Sequence, residues 1–515
     1  MGADPLDQPF GTLPETVGRH ANLAGATTAL IAGDRRLTYA ELDVLADRVA
    51  VSLWRDGLRP GDAVAICATN SLEFVMAYVG ALRIGVLVAL LPTMVSPESL
   101  RAMAVDSRAA LLFVDETSAF ALSGAGPAAD LPRVMLDGSP GGPGLRAWLA
   151  PEGSRPPAII KTPEAPCNIV YSSGTTSAPK GVLQSYAMRW AHMRYGAMLG
   201  DGAVMMISTP LYATGGSVSL LMALGSGGAA VLMAKFDAER FLSLAERRRA
   251  THATLVPIQY QRILATPDFD RHDLSSFRMT LSMGAASSAQ LKAEILRRWP
   301  GGLAEIYGMT EGGGGCVLIA HEHPDKLHTV GRPGQDNDIR VIDDDGNELP
   351  IGEAGEVVGR SPIMMSGYHN RPDQTAEAEW LDKDGNRFIR SGDIGRFDED
   401  GFLTIVDRKK DMIISGGFNV YSRDLEEALL ADGQVQEAAV VGEPSERWGE
   451  TPVAFVVAKP GCRLDPKALL KAANASLGKP QRLSRVLLVD ELPRNAVGKI
   501  MKRELRARLI ETSAG

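Results

Sequence analysis

The sequence predicts a multidomain α/β protein, and three observations support this fold class. The chain has 515 residues, which is too long for one ordinary hydrophobic core, so at least two domains are expected. Between about residues 37 and 330 helical and strand patterns alternate, as in parallel sheets covered by helices. After residue 330 the pattern changes to short strands joined by tight turns, and a separate α+β region follows.

The first well-defined helix is predicted directly after Leu37, in "LTYAELDVLADRVAVSLWRDG". Thr38 and Glu41 have the spacing of a capping box, and Gly57 can close the helix. The apolar positions that share one helical face are Leu42, Leu45, Val49 and Leu53. Between helices of this kind, the apolar runs "AVAIC", "ALLFVD", "VMMIS" and "AAVLM" predict buried parallel strands.

Beyond residue 330, turn signals at Asp345-Gly346 and Asp400-Gly401 separate pairs of short apolar runs. These signals predict a small β-rich subdomain. A charged segment with a double glycine follows, and then a helix that begins at Ser422. The remaining strands and helices predict a separate α+β domain of about a hundred residues, with its boundary near Arg408–Asp411.

Composition excludes several classes of protein. A net charge of -8 argues against a nucleic-acid binder, which usually presents a basic face. The four cysteines form no CxxC pair, which favours reduced thiols in the cytoplasm. No stretch has the form of a signal peptide. The most apolar region (74–95) contains Arg83 and Pro92, so it predicts a buried helix and strand instead of a membrane span.

The stretch "YSSGTTSAPKG" (171–181) places hydroxyls, glycines and a lysine after a predicted strand. Backbone N–H groups, hydroxyls and a lysine can converge on phosphate oxygens, although this is not a Walker A loop. "YGMTE" (307–311) ends in a carboxylate suited to Mg²⁺ beside a phosphate. "FIRSGD" (388–393) and "PRNAVGKIMKREL" (493–505) add an aspartate and an isolated lysine. Alone, each stretch is better read as an ordinary solvated surface turn.

Together and in this order, the stretches resemble the core motifs of the adenylate-forming superfamily, in its acyl/aryl-CoA synthetase branch. The resemblance extends from "LTYAEL" (37–42) to "GKIMKREL" (498–505) and includes 355–375 and 407–427. It implies a large N-terminal domain, a hinge and a small mobile α+β C-terminal domain. The expected ranges are 1–407, with two α/β subdomains and a β-barrel-like subdomain at about 330–407, 408–410 for the hinge, and 411–515.

The resemblance also implies a role for each motif residue. The loop after residue 171 would cradle the β- and γ-phosphates of ATP, Tyr307 would flank the adenine, and Asp393 with Arg408 would hold the ribose. The residues expected to contact ATP or AMP are Ser172, Ser173, Gly174, Thr175, Thr176, Lys180, Gly284, Ala285, Ala286, Glu305, Tyr307, Gly308, Asp393 and Arg408. The catalytic residues would be Thr310 at the α-phosphate, Glu311 as the Mg²⁺ ligand, and Lys499 between the substrate carboxylate and the α-phosphate.

A second half-reaction is implied, in which the C-terminal domain rotates about Lys410 and the acyl group passes to CoA. Missing Cβ atoms at Gly416 and Gly417 would let a pantetheine arm pass close to the backbone. The other residues expected at CoA are Trp448, Lys479 and Arg482.

The acid is the least determined partner. Its expected pocket consists of Tyr212, Thr214, Gly215, Gly216, Met283, Gly312 and Gly313, with Gly314 beside them. This set is small and carries no charge, so we expect an apolar monocarboxylate, either an aryl or phenylpropenoid acid or a medium-to-long-chain fatty acid. The sequence departs from the family pattern at two points: Ser177 stands where a glycine is common in the phosphate loop, and Ala213 stands where many relatives carry a histidine.

The sequence therefore predicts an AMP-forming acid–CoA ligase in the cytoplasm that uses ATP, Mg²⁺ and CoA, without nucleic-acid partners, as a monomer or homodimer. One alternative is a stand-alone adenylase that loads the thiol of a carrier protein, which needs the same loops but no groove for CoA. Another is a nucleotide-binding scaffold without catalysis. Retention of Glu311, Asp393 and Lys499 argues against the scaffold.

Overall fold

The computed structural model describes most of the chain, and it forms two compact units. The described residues are 5–124, 126–172, 180–416, 418–445, 447–478, 481–495 and 498–513. The first unit comprises Met1–Asp338 and Arg360–Ile389, and the second comprises Ile339–Gly359 and Arg390–Gly515. The predicted boundaries at residues 407–411 separate parts that are expected to move against each other. Two compact units do not test this, so these boundaries stay a prediction.

Two mixed sheets, both mainly parallel, organise the first unit. Its strands are β1 (Thr28–Ala32), β2 (Arg35–Thr38), β3 (Ala63–Cys67), β4 (Leu87–Leu90), β5 (Ala109–Val114), β6 (Arg133–Met135), β7 (Pro166–Ser172), β8 (Lys180–Ser185), β9 (Val204–Ile207), β10 (Ala229–Leu232), β11 (His252–Leu255), β12 (Met279–Met283), β13 (Gly302–Tyr307), β14 (Cys316–Ile319), β15 (Arg332–Pro333), β18 (Gly367–Tyr368) and β19 (Glu379–Leu381). In the described residues one sheet has the order β15-β14-β13-β12-β11-β9-β10-β1-β2 and the other β18-β8-β7-β4-β3-β5-β6.

Helices connect these strands, and the predicted alternation is confirmed. The α-helices are α1 (Leu13–Ala24), α2 (Tyr39–Arg55), α3 (Leu72–Arg83), α4 (Pro97–Asp106), α5 (Glu116–Leu122), α6 (Leu145–Trp148), α7 (Tyr186–Arg194), α8 (Thr214–Gly225), α9 (Ala238–Arg248), α10 (Pro257–Leu264), α11 (Ala289–Arg298) and α12 (Pro372–Glu377). Each of the four apolar runs quoted above falls on a buried strand (β3, β5, β9 and β10). The parallel pairs β3–β4, β3–β5 and β9–β10 join strands that lie apart in sequence.

Helix α2 shows how directly local signals fix an element. The Thr38 Oγ1 accepts from the Glu41 backbone N at 3.2 Å, and Glu41 reaches back to the Thr38 N at 2.7 Å. This is the predicted capping box, which satisfies two backbone donors at the helix start. Leu42 and Val49 are fully buried on the predicted face. The apolar region 74–95 forms α3 and β4, and no helix in the described residues is long and apolar enough to cross a bilayer.

The second unit begins with a small sheet. Its strands are β16 (Asp338–Ile342), β17 (Gly355–Arg360), β20 (Arg387–Phe397) and β21 (Leu403–Arg408). The order along the sheet is β16-β17-β20-β19, and β21 pairs with β20 in antiparallel fashion. The two predicted glycine turns are present, with positive φ at Gly346 and Gly401. The β-rich segment that the sequence predicts therefore forms a sheet.

An α+β region completes the second unit. Its elements are β22 (Ile413–Ser415), β23 (Phe418–Val420), α13 (Ser422–Leu430), β24 (Val435–Ser445), β25 (Gly449–Ala458), α14 (Pro466–Ser476), β26 (Arg485–Leu488) and α15 (Lys502–Ser513). One face of its sheet packs on α13 and α14 through Leu425, Leu429 and Leu469. The other face packs on α15 through Leu505 and Leu509. Both faces are buried, which explains the fully apolar centre of β25.

Candidate active site

The carboxyl ends of β12 and β13 carry several predicted nucleotide residues. The two strands are parallel neighbours, with Met283 opposite Ile306, so the segments that follow them leave the sheet at the same edge. Gly284–Ala286 follows β12, and Tyr307 is the last residue of β13. Carboxyl ends of parallel strands are where open α/β sheets bind ligands. The structure therefore places the predicted adenine residues of these two strands side by side.

The phosphate loop is only partly described. Ser172 ends β7 and Lys180 begins β8, and the two residues are paired across the antiparallel ladder. Ser173, Gly174, Thr175 and Thr176 lie outside the described residues. The backbone of Lys180 is therefore fixed beside the end of β7, at the start of a strand that pairs with β7 on one side and with β18 on the other.

Glu311, the predicted Mg²⁺ ligand, is held by Tyr368, which the sequence analysis did not select. The Tyr368 hydroxyl donates to Glu311 Oε1 at 2.8 Å. Burial, together with the negative charge of Glu311, raises the pKa of Tyr368, so the phenol stays a donor. The ammonium group of Lys180 lies 5.1 Å from the centroid of the same ring, within range of a cation–π contact. Tyr368 thus joins the predicted phosphate lysine to the predicted metal ligand.

The chemistry of these groups fits Mg²⁺ brought in with a nucleotide. Only one Glu311 oxygen is hydrogen-bonded by Tyr368, which leaves the other for a cation. The described residues contain no cluster of three or more metal-ligating side chains. Mg²⁺ commonly binds through one or two carboxylates, substrate phosphates and water. Glu311 would hold the ion, which would neutralise phosphate charge.

The loop after Glu311 leaves no room for a side chain at Gly312. Its φ is +69°, and a Cβ built there would lie 1.6 Å from the Ile363 carbonyl oxygen and 2.9 Å from the Met188 Cε. The Met365 N–H donates to the Glu311 carbonyl at 2.8 Å. The segment 363–365 therefore lies directly against the backbone of Glu311 and Gly312. Gly313 and Gly314 follow and are buried.

Thr310 connects the predicted α-phosphate contact with the predicted acid pocket. Its Oγ1 lies 3.0 Å from the Oγ1 of Thr214, the first residue of α8. The next residue, Gly215, faces Met283, since a Cβ added there would lie 3.2 Å from the Met283 sulfur. The structure thus brings three pocket residues, Thr214, Gly215 and Met283, to one place beside Thr310.

Two further pocket residues are buried. A Cβ on Gly216 would lie 2.2 Å from the Pro210 carbonyl oxygen, so the first turn of α8 can only be formed with glycine there. Tyr212 is 6% exposed, and burial raises the pKa of its phenol, which keeps it neutral. Both features make this wall compact and uncharged.

Glu305 has a buried partner. Its carboxylate lies 2.9 Å from the Lys292 ammonium, and both side chains are almost fully buried. The same ammonium donates to the Thr329 carbonyl at 2.9 Å. A buried ion pair of this kind must stay intact, because removing one partner leaves an uncompensated charge. Its contact with adenine stays a prediction; the pair itself ties β13 to α11.

In the second unit, Asp393 and Arg408 are paired. They lie opposite each other on β20 and β21, and the Arg408 Nε is 3.0 Å from Asp393 Oδ1. This is the pair predicted to hold a ribose. The residues after Arg408 carry the predicted hinge, and Lys409 forms ion pairs with Asp344 at 2.9 Å and Glu356 at 3.2 Å.

Lys499 is half-buried and lies among like charges. Burial, together with the positive charges of Arg408 and Lys410, lowers the pKa of Lys499 to about 8, although Asp393 and Asp411 oppose the shift. The pKa of Lys410 is also lowered, mainly by burial. Lys499 therefore lies within the electrostatic reach of the predicted ribose pair and the predicted hinge.

The predicted CoA residues are only partly described. The Gly416 N–H donates to the Trp448 carbonyl at 2.7 Å, and the Trp448 ring covers the Cα of Gly416, with the nearest ring atom 3.0 Å from an added Cβ. Trp448 is half exposed, and the Arg447 guanidinium lies 4.7 Å from its ring centroid. Arg482 is exposed. Gly417 and Lys479 lie outside the described residues.

Comparison with known proteins settles the family. The family model described as AMP-binding enzyme matches residues 17–369, and the AMP-binding enzyme C-terminal domain matches residues 424–499. The chain belongs to the AMP-binding enzyme family. The predicted membership of the acyl/aryl-CoA synthetase branch of the adenylate-forming superfamily is confirmed, as is the prediction of an enzyme of the acid–thiol ligase class.

Individual relatives of this AMP-binding enzyme align over nearly their full length. It is 34% identical to an indoleacetate–CoA ligase of Aromatoleum aromaticum over 96% of this chain and 97% of the relative. It is also 34% identical to a feruloyl-CoA synthase of an Amycolatopsis species, over 95% of this chain and 97% of that relative. Among solved structures, the amide bond synthetase McbA of Marinactinospora thermotolerans matches with a TM-score of 0.85 at 30% identity. The match covers 96% of this chain and 99% of McbA. The predicted fold class is confirmed.

Proposed function

We propose that this enzyme is an AMP-forming acid–CoA ligase that activates an apolar monocarboxylic acid. In the first step a carboxylate oxygen attacks the α-phosphorus of Mg-ATP, the bond to pyrophosphate breaks, and acyl-AMP forms. In the second step the CoA thiol attacks the acyl carbon, a thioester forms, and AMP leaves. The second step, with rotation about Lys410, belongs to the same proposal.

The contact between Thr214 and Thr310 carries the proposal. Thr310 follows the strand that ends in Tyr307, and Thr214 begins the helix that carries the predicted acid wall. Their oxygens are 3.0 Å apart. A carboxylate held at the acid wall and an α-phosphate held at Thr310 would then be neighbours, as an attack distance of about 3–3.5 Å requires. The geometry thus supports transfer of the adenylyl group of ATP to an acid better than nucleotide binding alone.

Positive charge is the second requirement, because a carboxylate and a phosphate repel each other. Lys180 lies over the ring of Tyr368, whose hydroxyl is bound to Glu311, and there it would meet phosphate oxygens. Mg²⁺ held by Glu311 would supply further charge. Lys499 would neutralise the two reacting anions in the first step. Preorganised charge of this kind is usually the largest contribution to catalysis of such reactions.

The acid pocket supports an uncharged substrate tail. Tyr212, Gly215, Gly216 and Met283 are small or apolar and carry no charge. The names of the two relatives refer to indoleacetate and ferulate, which are aromatic acids. We therefore propose an aryl or phenylpropenoid acid or, as the other member of the same class, a medium-to-long-chain fatty acid.

A panel of acids tests the proposal. Purified enzyme is assayed with fatty and aromatic acids for acid-dependent ATP–pyrophosphate exchange, and for AMP release with and without CoA. We expect exchange with at least one apolar acid and AMP release that requires CoA. Exchange without thioester formation would favour an adenylase that serves a carrier protein. Absence of exchange with every acid would refute the proposed function.

A further inference from the structure

The turn that carries Lys499 is anchored by side chains that none of the predicted motif roles includes. Arg494 and Ile500 form an antiparallel bridge at the base of the turn. The Asn495 N–H donates to the Lys499 carbonyl at 3.0 Å, and the Lys499 N–H donates to Asn495 Oδ1 at 2.9 Å. Both backbone polar groups of Lys499 are therefore bound to Asn495. The Lys499 backbone is held from within the turn.

Arg494 ties this turn to the sheet. One terminal nitrogen of its guanidinium donates to the Gly498 carbonyl at 2.7 Å, and the other is 2.9 Å from Glu437 Oε1. Glu437 belongs to β24 and its side chain is 12% exposed. A planar guanidinium that engages two acceptors at once fixes direction as well as distance. Gly498 immediately precedes Lys499. Arg494 therefore connects the backbone next to the lysine with Glu437 on β24.

The base of the turn is rigid for a separate reason. Leu492 is buried against Phe455 and Leu505, and Ile500 packs on the same cluster. The Met501 N–H donates to the Pro493 carbonyl at 2.8 Å. The segments on either side of the turn therefore stand on a packed base, and the guanidinium of Arg494 holds the Gly498 carbonyl.

We propose that Arg494, oriented by Glu437, is a positioning residue that holds the Lys499 ammonium in place for the adenylation step. The inference rests on the proposed function, in which Lys499 acts on the reacting anions. A displacement of about 1 Å in a catalytic group can lower the rate by about a hundredfold. Arg494 reaches Lys499 only through Gly498, so it acts on position and leaves the chemistry itself to the lysine.

The chain offers a matched control. Arg485 on β26 forms an ion pair with Glu443, which lies on the same strand β24 as Glu437. Arg485→Ala removes an ion pair of the same sheet without touching the turn. Arg494→Ala removes both anchoring contacts, Arg494→Lys can keep one of the two, and Glu437→Gln keeps an acceptor but removes its charge. Melting temperatures show whether each variant folds.

The two half-reactions are assayed separately, by acid-dependent ATP–pyrophosphate exchange and by thioester formation from supplied acyl-adenylate and CoA. We expect Arg494→Ala to lower the exchange rate about 10- to 100-fold, with little change in KM for ATP or acid and with thioester formation unchanged. Arg494→Lys recovers part of the loss, Glu437→Gln shows a smaller loss, and Arg485→Ala matches wild type. The proposal is overturned if Arg494→Ala exchanges as fast as Arg485→Ala, or slows both half-reactions equally.

A second readout does not depend on activity. The acylation of Lys499 by an amine reagent is followed across pH by mass spectrometry of its peptide. In wild type we expect a midpoint near the lowered pKa, and in Arg494→Ala a midpoint nearer that of an ordinary lysine, because the ammonium leaves its buried cationic surroundings. An unchanged midpoint would contradict the inference. If wild type catalyses no exchange with any acid, the proposed function fails, and this labelling profile alone decides the position of Lys499.

Discussion

Lys180 in the first unit and Lys499 in the second are both lysines predicted to meet phosphate, but their surroundings differ. Lys180 lies over the ring of Tyr368, whose hydroxyl is bound to Glu311. Lys499 lies half-buried within reach of Arg408 and Lys410, and its pKa is lowered to about 8. The first arrangement balances positive and negative groups before any ligand binds. The second combines burial with the positive charges of Arg408 and Lys410, which Asp393 and Asp411 offset only in part, so an arriving anion would stabilise the charged lysine.

The difference suggests a division of labour. A balanced cluster holds its shape without ligand and suits ground-state binding of ATP. A cluster of like charges is worth most when negative charge concentrates, as it does when a carboxylate approaches a phosphate. Changes at Lys499 should therefore act on the rate of adenylation, and changes at Tyr368 on nucleotide and metal binding.

The largest effect is expected from Lys499→Ala. Removing one well-placed charge-stabilising group typically lowers kcat about a hundred- to a thousandfold. We expect acyl-AMP formation to fall by this factor, while binding of ATP and thioester formation from supplied acyl-adenylate continue. Rapid-quench measurement of pyrophosphate release gives the rate of acyl-AMP formation, and titration calorimetry gives the affinity for ATP. Pyrophosphate release near the wild-type rate would remove Lys499 from the mechanism.

The next effect concerns the loop beside Glu311. A side chain at Gly312 would meet the Ile363 carbonyl and require a backbone with positive φ. Gly312→Ala should lower kcat/KM at least tenfold and lower the melting temperature. Gly352, which also has positive φ but open space around an added Cβ, provides the control: Gly352→Ala should cost only about 1 kcal/mol of stability. Equal effects of the two substitutions would mean that the contact with Ile363 is unimportant.

These residues show what the sequence could and could not predict. The capping box of α2, the glycine turns at residues 346 and 401, and the buried strands follow from neighbours within a few positions. The Tyr368–Glu311 contact joins positions 57 residues apart, and the Arg494–Glu437 pair likewise joins distant segments. Such pairs depend on how elements pack, and no local pattern of residue types encodes them. The roles that the motif resemblance implies for single residues stay predictions, and the structure adds the contacts that hold those residues.

A smaller effect is expected from Tyr368→Phe, which removes the hydroxyl bound to Glu311 and keeps the ring under Lys180. Hydrogen bonds to charged groups contribute about 1.5–3 kcal/mol. We expect a roughly tenfold weaker affinity for the metal, measured with Mn²⁺ by electron paramagnetic resonance in the presence of ATP, and little change in ATP binding without metal. Tyr39→Phe, which removes another buried tyrosine hydroxyl bond in the same unit, at 2.8 Å to the Gly228 carbonyl, should leave both unchanged. A metal affinity that is equal in the two variants would separate Tyr368 from the metal.

The smallest effect is a shift in pH dependence. Lys499 must carry its proton to neutralise the reacting anions, so adenylation should be fully active below about pH 8 and decline about tenfold per pH unit above it, as the lysine loses its charge. Lys410→Met removes one of the positive charges that lower this pKa, so the decline should move to higher pH. Lys499→Arg should show no decline in the same range, because a guanidinium does not deprotonate there. A profile of single-turnover acyl-AMP formation between pH 7 and 10 measures all three. If the decline persists in Lys499→Arg, the titrating group is another residue, and the contrast between the two lysines loses its electrostatic basis.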